Sequence, residues 1–440
     1  MAQNSNSKMT VLTRFFLWIL VISIQTITAA FTANYAAFMY SVRSQLSLQS
    51  TVSSKNAEQR KITQMYSSPR SPIQEKIRYI AGRRALILHP NSSSQRATKN
   101  LPLVILGGMA QSISSWEFHL QQLCATRSVM VYEALGQGPP PPSEVCAIDG
   151  KEVTLDQYYK DVTLERQGRD FWEVVDEAFF HPDSYFFQNY GHASERQVDV
   201  AGFSFGGRVA MSAATLQPKR IRRLHLTGVG AERDEFANVI LASWKDILGA
   251  HILSRDDSSN DEVQFEECDP ELHSSRCTSR LRAFAWSIIL ATYSEEFLSS
   301  AGSKRVSSWV DGVCQYNTEE GLKAILMQTH GSFVNGFDSK PTKHLTINQQ
   351  IDFWTTTAMA QRIISNDCIE SYKVLVGSND KMSSPFQARM LTHLLRENDS
   401  ADVQPRFASS EHFRVIEGCG HAVPMEAQRI WREDLIKFLS

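Results

Sequence analysis

From about residue 78 onward, short apolar runs alternate with segments whose apolar residues recur every three or four positions. Short runs bounded by glycine mark strands buried on both faces, and the wider spacing marks amphipathic helices. Leu103 to Leu106 stops at Gly107-Gly108 and Val129 to Tyr132 stops before Glu133, so both predict buried parallel strands. Between them Ile113 to Leu123 has helical spacing, as does Phe171 to Phe180 ahead of a strand at Val198 to Ala201. A helix through Val209, Met211 and Leu216 and a strand at Leu224 to Thr227 follow. Such alternation predicts an α/β chain with a mostly parallel, doubly wound sheet. Arg78 to Ile80 and Arg84 to Leu88, joined at Ala81-Gly82, predict an opening hairpin. Pro139 to Pro142 predicts a loop, and the polar stretch 143–170 an insertion.

The pattern changes over residues 231–345. Helical spacing at Phe236 to Leu248, Arg280 to Tyr293 and Gly321 to His330 surrounds an acidic, serine-rich loop near Asp256 to Asp269, which predicts an inserted helical cap. Strand and helix signals resume at Tyr372 to Val376, Pro385 to Leu395, Phe413 to Ile416 and Ala427 to Leu439. The core is therefore expected in two parts, 71–230 and 346–440, on either side of the cap.

The first seventy residues carry no such pattern. Lys8 and Arg14 precede the apolar run Phe15 to Ile24, and small residues follow at Thr28, Ala29 and Ala30, the order of a signal peptide over residues 1–30. With Val11, Leu12 and Ile27 the stretch approaches spanning length, so a membrane anchor through residues 11–28 is the alternative. Residues 31–70 are serine-rich and basic, with Glu58 the only acid, which predicts a disordered, transit-like segment. The whole leader resembles the bipartite presequences of algae, implying a plastid reached through the secretory route; a secreted or endomembrane-anchored protein is the alternative. Sequons at Asn91 and Asn398 fit either route.

Lys plus Arg (45) nearly balance Asp plus Glu (47), so no global field steers the protein to nucleic acid. The expected partner is a small molecule, apolar or carboxylate-bearing. Seven cysteines without a C-x-x-C pair or zinc-like spacing predict no metal module, and no cofactor is expected. Whether Cys268 and Cys277 pair is left open.

Candidate chemistry gathers at predicted strand ends. Gly202-Phe203-Ser204-Phe205-Gly206 places G-x-S-x-G directly after a strand and before a helix, where a sharp turn exposes a serine nucleophile. A serine hydroxyl needs a base oriented by a third group. His421, flanked by Gly418 and Gly420 after the last predicted strand, is the candidate base, and Asp380, on the turn after the penultimate strand, the candidate acid. Ser204, Asp380 and His421 follow the chain order nucleophile, acid, histidine. The N–H groups of Phe205 and of Met109, in Gly107-Gly108-Met109-Ala110-Gln111, are the expected oxyanion donors.

These motifs resemble the α/β-hydrolase fold superfamily from about Arg78 to the C-terminus. The histidine and glycine usual after the third strand stand here as Gly107-Gly108, and the D-x-x-G-x-G stretch as Glu133 to Gly138. Within the superfamily, Gly202 to Met211 resembles the elbow of 2-succinyl-6-hydroxy-2,4-cyclohexadiene-1-carboxylate synthase. That likeness implies that Arg208 holds a substrate carboxylate and that Phe203 stands where the synthase has a tyrosine. Aromatic cap residues, Trp286 among them, are expected to line the substrate site. The leading expectation is a serine hydrolase of carboxylic esters or thioesters. A pyruvate-eliminating lyase of quinone biosynthesis and a non-catalytic small-molecule receptor are the alternatives.

Overall fold

The computed structural model describes residues 77–90, 100–140, 147–148, 151–152, 158–159, 162–190, 196–250, 278–330, 354–396 and 411–440. The leader, both sequons, Cys268 and Cys277 lie outside the described residues. The strands are β1 (Arg78–Ile80), β2 (Arg83–Leu88), β3 (Leu103–Leu106), β4 (Val129–Tyr132), β5 (Ala147–Ile148), β6 (Lys151–Glu152), β7 (Val198–Phe203), β8 (Ile221–Thr227), β9 (Ser371–Gly377) and β10 (Phe413–Ile416). The α-helices longer than one turn are α1 (Glu117–Leu123), α2 (Leu164–Val175), α3 (Tyr185–Tyr190), α4 (Phe205–Leu216), α5 (Glu235–Leu248), α6 (Ser279–Thr292), α7 (Glu295–Ala301), α8 (Ser303–Tyr316), α9 (Glu319–His330), α10 (Thr356–Ser365), α11 (Pro385–Leu394) and α12 (Gln428–Leu439), and a single helical turn, Val423–Glu426, precedes α12.

Eight strands form one sheet in the order β1-β2-β4-β3-β7-β8-β9-β10, while β5 and β6 pair separately. In the large sheet β2 runs antiparallel to both its neighbours, β1 and β4, and every other neighbouring pair is parallel. The opening hairpin turns at Ala81 and Gly82, both with positive φ (44° and 73°), which suits the right-handed twist of the two strands.

Side chains alternate across the sheet with the period of two that a strand imposes. Val104 and Leu106 of β3, Met130 and Tyr132 of β4, and Val198 and Val200 of β7 enter one core with helices α2, α4, α10 and α11. Leu103, Ile105, Val129, Val131, Ala201 and Phe203 face the opposite core, under α1 and α12. Helix α4 is buried from Phe205 to Ala214, as expected of a helix that, Arg208 apart, carries apolar or small residues all round.

The structure adds detail to two expectations. Within the polar insertion 143–170, β5 and β6 pair antiparallel and α2 begins at Leu164. There Thr163 caps the helix by accepting a hydrogen bond from Arg166 N, and buried Gln167 bonds both the N–H and the C=O of Leu135. The polarity is internal, satisfied by partners. The cap also holds more helix than its apolar spacing indicates, since α7 and α8 occupy the serine-rich span between α6 and α9. Leu241, Trp244, Phe284, Val310 and Leu322 give the cap its own core.

The register aligns the C-terminal ends of the central strands. Leu106 pairs with Gly202, Phe203 with Thr227, Thr227 with Leu375, and Gly377 with Ile416. The residues after these ends, Gly107, Ser204, Gly228, Ser378 and Glu417, therefore share one rim, the edge where parallel sheets place their chemistry.

Candidate active site

Ser204 sits between β7 and α4 with φ 52° and ψ −117°, a backbone conformation that L-residues rarely hold. Packing enforces it. A Cβ on Gly202 would stand 2.5 Å from the Gly207 Cα, so the strand and helix can meet only without side chains there. The Ser204 N–H donates to the Thr227 carbonyl at 2.8 Å and pins the turn to β8.

His421 Nε2 lies 2.7 Å from Ser204 Oγ, and its Nδ1 lies 2.9 and 2.8 Å from Asp380 Oδ1 and Oδ2. The carboxylate fixes the tautomer: Nδ1–H donates to Asp380, leaving the Nε2 lone pair for the serine proton. Asp380 Oδ1 also accepts from Met382 N and Ser383 N, both at 2.8 Å. Gly228, at φ 63°, packs against the imidazole, where an added Cβ would be 2.9 Å from Cε1. His421 and Asp380 are both buried.

The expected oxyanion donors lie beside the turn: Phe205 follows Ser204, and Gly108, next to Met109, stands so close that an added Cβ would be 3.3 Å from Ser204 Cβ. Gly108 N–H is taken by Gln111 Oε1 at 2.8 Å, and Gly108 O accepts from Gln137 Nε2 at 2.5 Å. Both bonds hold the loop open at Met109. Among the described residues neither Met109 N–H nor Phe205 N–H, the latter at the first turn of α4, donates to another group. A Cβ on Gly108 would lie 2.7 Å from the Phe203 ring, so this glycine lets the loop close over β7.

A sequence model of the alpha/beta hydrolase family matches residues 103–432, a span that contains the sheet rim, the cap and all three side chains. The chain belongs to the α/β-hydrolase family. The enol-lactonase from Burkholderia xenovorans LB400 is similar in structure, with 13% identity over 82% of this chain and 99% of that one and a TM-score of 0.50. A thermophilic esterase from Thermogutta terrifontis aligns at 14% identity over 81% and 93%, with a TM-score of 0.49. At such identities the likeness is one of fold. No curated protein matches the sequence.

In this α/β-hydrolase the other residues of the elbow, the cap and the histidine loop have different places. Phe203 is buried in the core, its ring 5.2 Å from the His421 imidazole and 6.5 Å from Trp116, so it packs beneath the base. Trp286 is half-buried on α6 at the margin of the cap core. Arg208 is buried one turn into α4, and desolvation, reinforced by Arg233, pushes its pKa down to about 9. Arg282 pairs with Asp311 at 2.7 Å on the cap surface. Cys419 is a small buried residue of the core, its thiol raised to about 11 by burial.

Motif spacing does not single out Gln111, Gln137 or Glu426, although each lies within a few residues of a motif. Their sequence signal is weak because a polar residue beside a glycine turn is commonplace. Among the described residues no cluster of His, Cys, Asp or Glu is placed to hold a metal ion, and no helix is long and apolar enough to cross a membrane.

Proposed function

We propose that this protein is a serine hydrolase that cleaves a carboxylic ester or thioester through an acyl-enzyme. The observation that carries the reading is the unbroken chain Ser204 Oγ, His421, Asp380, with links of 2.7 and 2.8 Å, beside two N–H groups without an acceptor among the described residues. Ser204 attacks the carbonyl while His421 takes its proton, and Asp380 stabilises the imidazolium that results. Met109 and Phe205 N–H receive the developing oxyanion; each such donor contributes about 3 kcal/mol to transition-state stabilisation. His421 then protonates the leaving group, and water, activated by the same imidazole, frees the acid.

A second reading is favoured by one feature. Arg208 and Arg233 are buried near each other, and the pKa values of both are depressed, to about 9 and about 10. Arg208, one helical turn beyond Ser204, suits a carboxylate-bearing substrate and the pyruvate-eliminating lyase, where the serine acts as base and no acyl-enzyme forms. Wild-type protein and Ser204→Ala, assayed on short p-nitrophenyl esters and on the succinyl-hydroxycyclohexadiene precursor, separate the two. Ester turnover lost in the variant supports the hydrolase; precursor turnover without esterase activity overturns it. The leader supports delivery to a plastid by the secretory route, tested by fusing residues 1–70 to a fluorescent protein; secretion of the fusion would refute it.

A further inference from the structure

The loop that carries His421 is held from two sides. From the acid turn, Asn379 N donates to Cys419 O and Ser378 Oγ accepts from Gly418 N, both at 2.9 Å. From the cap, Ala422 N donates to Thr292 O at 2.9 Å, and Gly420 lies so close that an added Cβ would be 2.7 Å from Ser294 N. Glu426, five residues beyond His421, stands at this second junction. Its Oε1 accepts from Gly420 N at 3.0 Å and Ser294 N at 3.1 Å, while Oε2 accepts from Ser294 Oγ at 2.5 Å.

Two features distinguish this carboxylate from an ordinary helix-end acid. None of these donors belongs to α12, the helix that follows; all three lie on the histidine loop or on the cap corner between α6 and α7. The group also keeps its place against electrostatic cost, since burial first and the nearby Asp380 carboxylate last raise its pKa, while the three hydrogen bonds oppose them. Ser294 Oγ in turn accepts from Phe297 N and so caps α7, which extends the connection into the cap.

We propose that Glu426 is a positioning residue for His421: its carboxylate ties the histidine loop to the cap corner at Ser294, so that the imidazole keeps its place between Ser204 and Asp380. The inference rests on the reading of His421 as the catalytic base. Two carboxyl oxygens that take three hydrogen bonds from two segments fix a loop that glycines on both sides leave free to move. The cap and the base are thereby one mechanical unit.

The test compares Glu426→Ala, Glu426→Gln and Ser294→Ala with wild type. It uses kcat and KM on a short p-nitrophenyl ester, the downfield proton resonance of the His421 Nδ1–H bonded to Asp380, and thermal unfolding. Glu426→Ala is expected to lower kcat about 100-fold with KM within about threefold, because the base is displaced while the pocket is not. Its Nδ1–H resonance broadens through exchange with water. Glu426→Gln, whose carbonyl can accept both backbone N–H groups, restores kcat to within about fivefold of wild type, and Ser294→Ala costs about tenfold. If Glu426→Ala does not fold, the glutamine and Ser294 variants carry the test. Wild-type kcat and resonance in Ser294→Ala and, where it folds, in Glu426→Ala would overturn the proposal, as would a glutamine variant that folds yet loses kcat about 100-fold and broadens the resonance. Absence of ester turnover in wild type, with the resonance still lost on changing Glu426, would overturn the hydrolase reading and leave the positioning role standing.

Discussion

Among the described residues there are two buried histidine–aspartate pairs, and they differ in geometry and surroundings. His421 meets both oxygens of Asp380 at 2.8 to 2.9 Å, whereas His225 meets Asp434 at 3.3 Å. The difference lies in what surrounds each carboxylate. Asp380 takes its remaining hydrogen bonds from backbone N–H groups, and among the described residues no Lys or Arg pairs with it. Asp434 is also neutralised by Lys373 at 3.0 Å and Arg414 at 2.8 Å; burial works to raise its pKa, but the hydrogen bond with His225 first, then those with Arg414 and Lys373, hold it well below the ordinary value. On the far side of the imidazole, His421 faces a serine held in a strained turn, while His225 faces Thr227, whose hydroxyl also accepts from Trp431. A catalytic pair needs its negative charge unspent and a nucleophile waiting; a structural pair has neither.

Substitutions should separate the two pairs, and the largest effect belongs at the nucleophile. Ser204→Ala is expected to lower kcat by about 10⁶-fold in a steady-state ester assay, with little change in unfolding temperature. Asp380→Asn comes next, at about 10⁴-fold in kcat, because the wrong imidazole tautomer then faces the serine. Asp434→Asn should do the reverse, leaving kcat within about threefold but destabilising the fold by about 3 kcal/mol in urea titration, since a buried cation loses its partner. Comparable rate losses in the two aspartate variants would erase the distinction.

The smallest expected effect is a pH signature of the buried histidines. Burial lowers the pKa of His225 below its ordinary 6.5 and holds that of His119 at about 3. The unfolded chain therefore binds protons below pH 6.5 that the folded chain refuses. Stability is unaffected above that value and falls as pH drops below it, each group contributing at most about 1.4 kcal/mol per pH unit. For His119 the window closes near pH 3. Denaturant titrations from pH 7.5 to 5 should show this fall, and His119→Gln should flatten it; an unchanged slope would contradict the assignment of a neutral buried imidazole.

The sheet and the three side chains at its rim were legible because each carries a local signal. Phe413 to Ile416 is a strand by periodicity, and G-x-S-x-G between strand and helix needs no distant information. What was not legible depends on partners far along the chain. Ile221 to Arg223 belongs to β8 although two arginines interrupt the apolar run, because Arg222 reaches the fully buried Asp199 on β7. Helices α7 and α8 carry many serines, and their identity rests on the caps at Ser294 and Gly302 and on Val306, Val310 and Cys314 packing into the cap core. Helix α10, unmarked by strong periodicity, is fixed by Met359, Ala360 and Ile363 against the core shared with α4. Phe203, expected at the substrate, lies in the core opposite α4 with its ring beside the His421 imidazole, because alternation along β7 turns it that way.

The most direct measurement is peptide mapping by mass spectrometry after brief exposure of the folded protein to a fluorophosphonate. A single adduct on the Ser204 peptide, strongly slowed in His421→Ala and unaffected in Asp434→Asn, is the predicted result. An unlabelled Ser204 in correctly folded wild-type protein, or labelling that proceeds at the same rate without the imidazole of His421, would contradict the account.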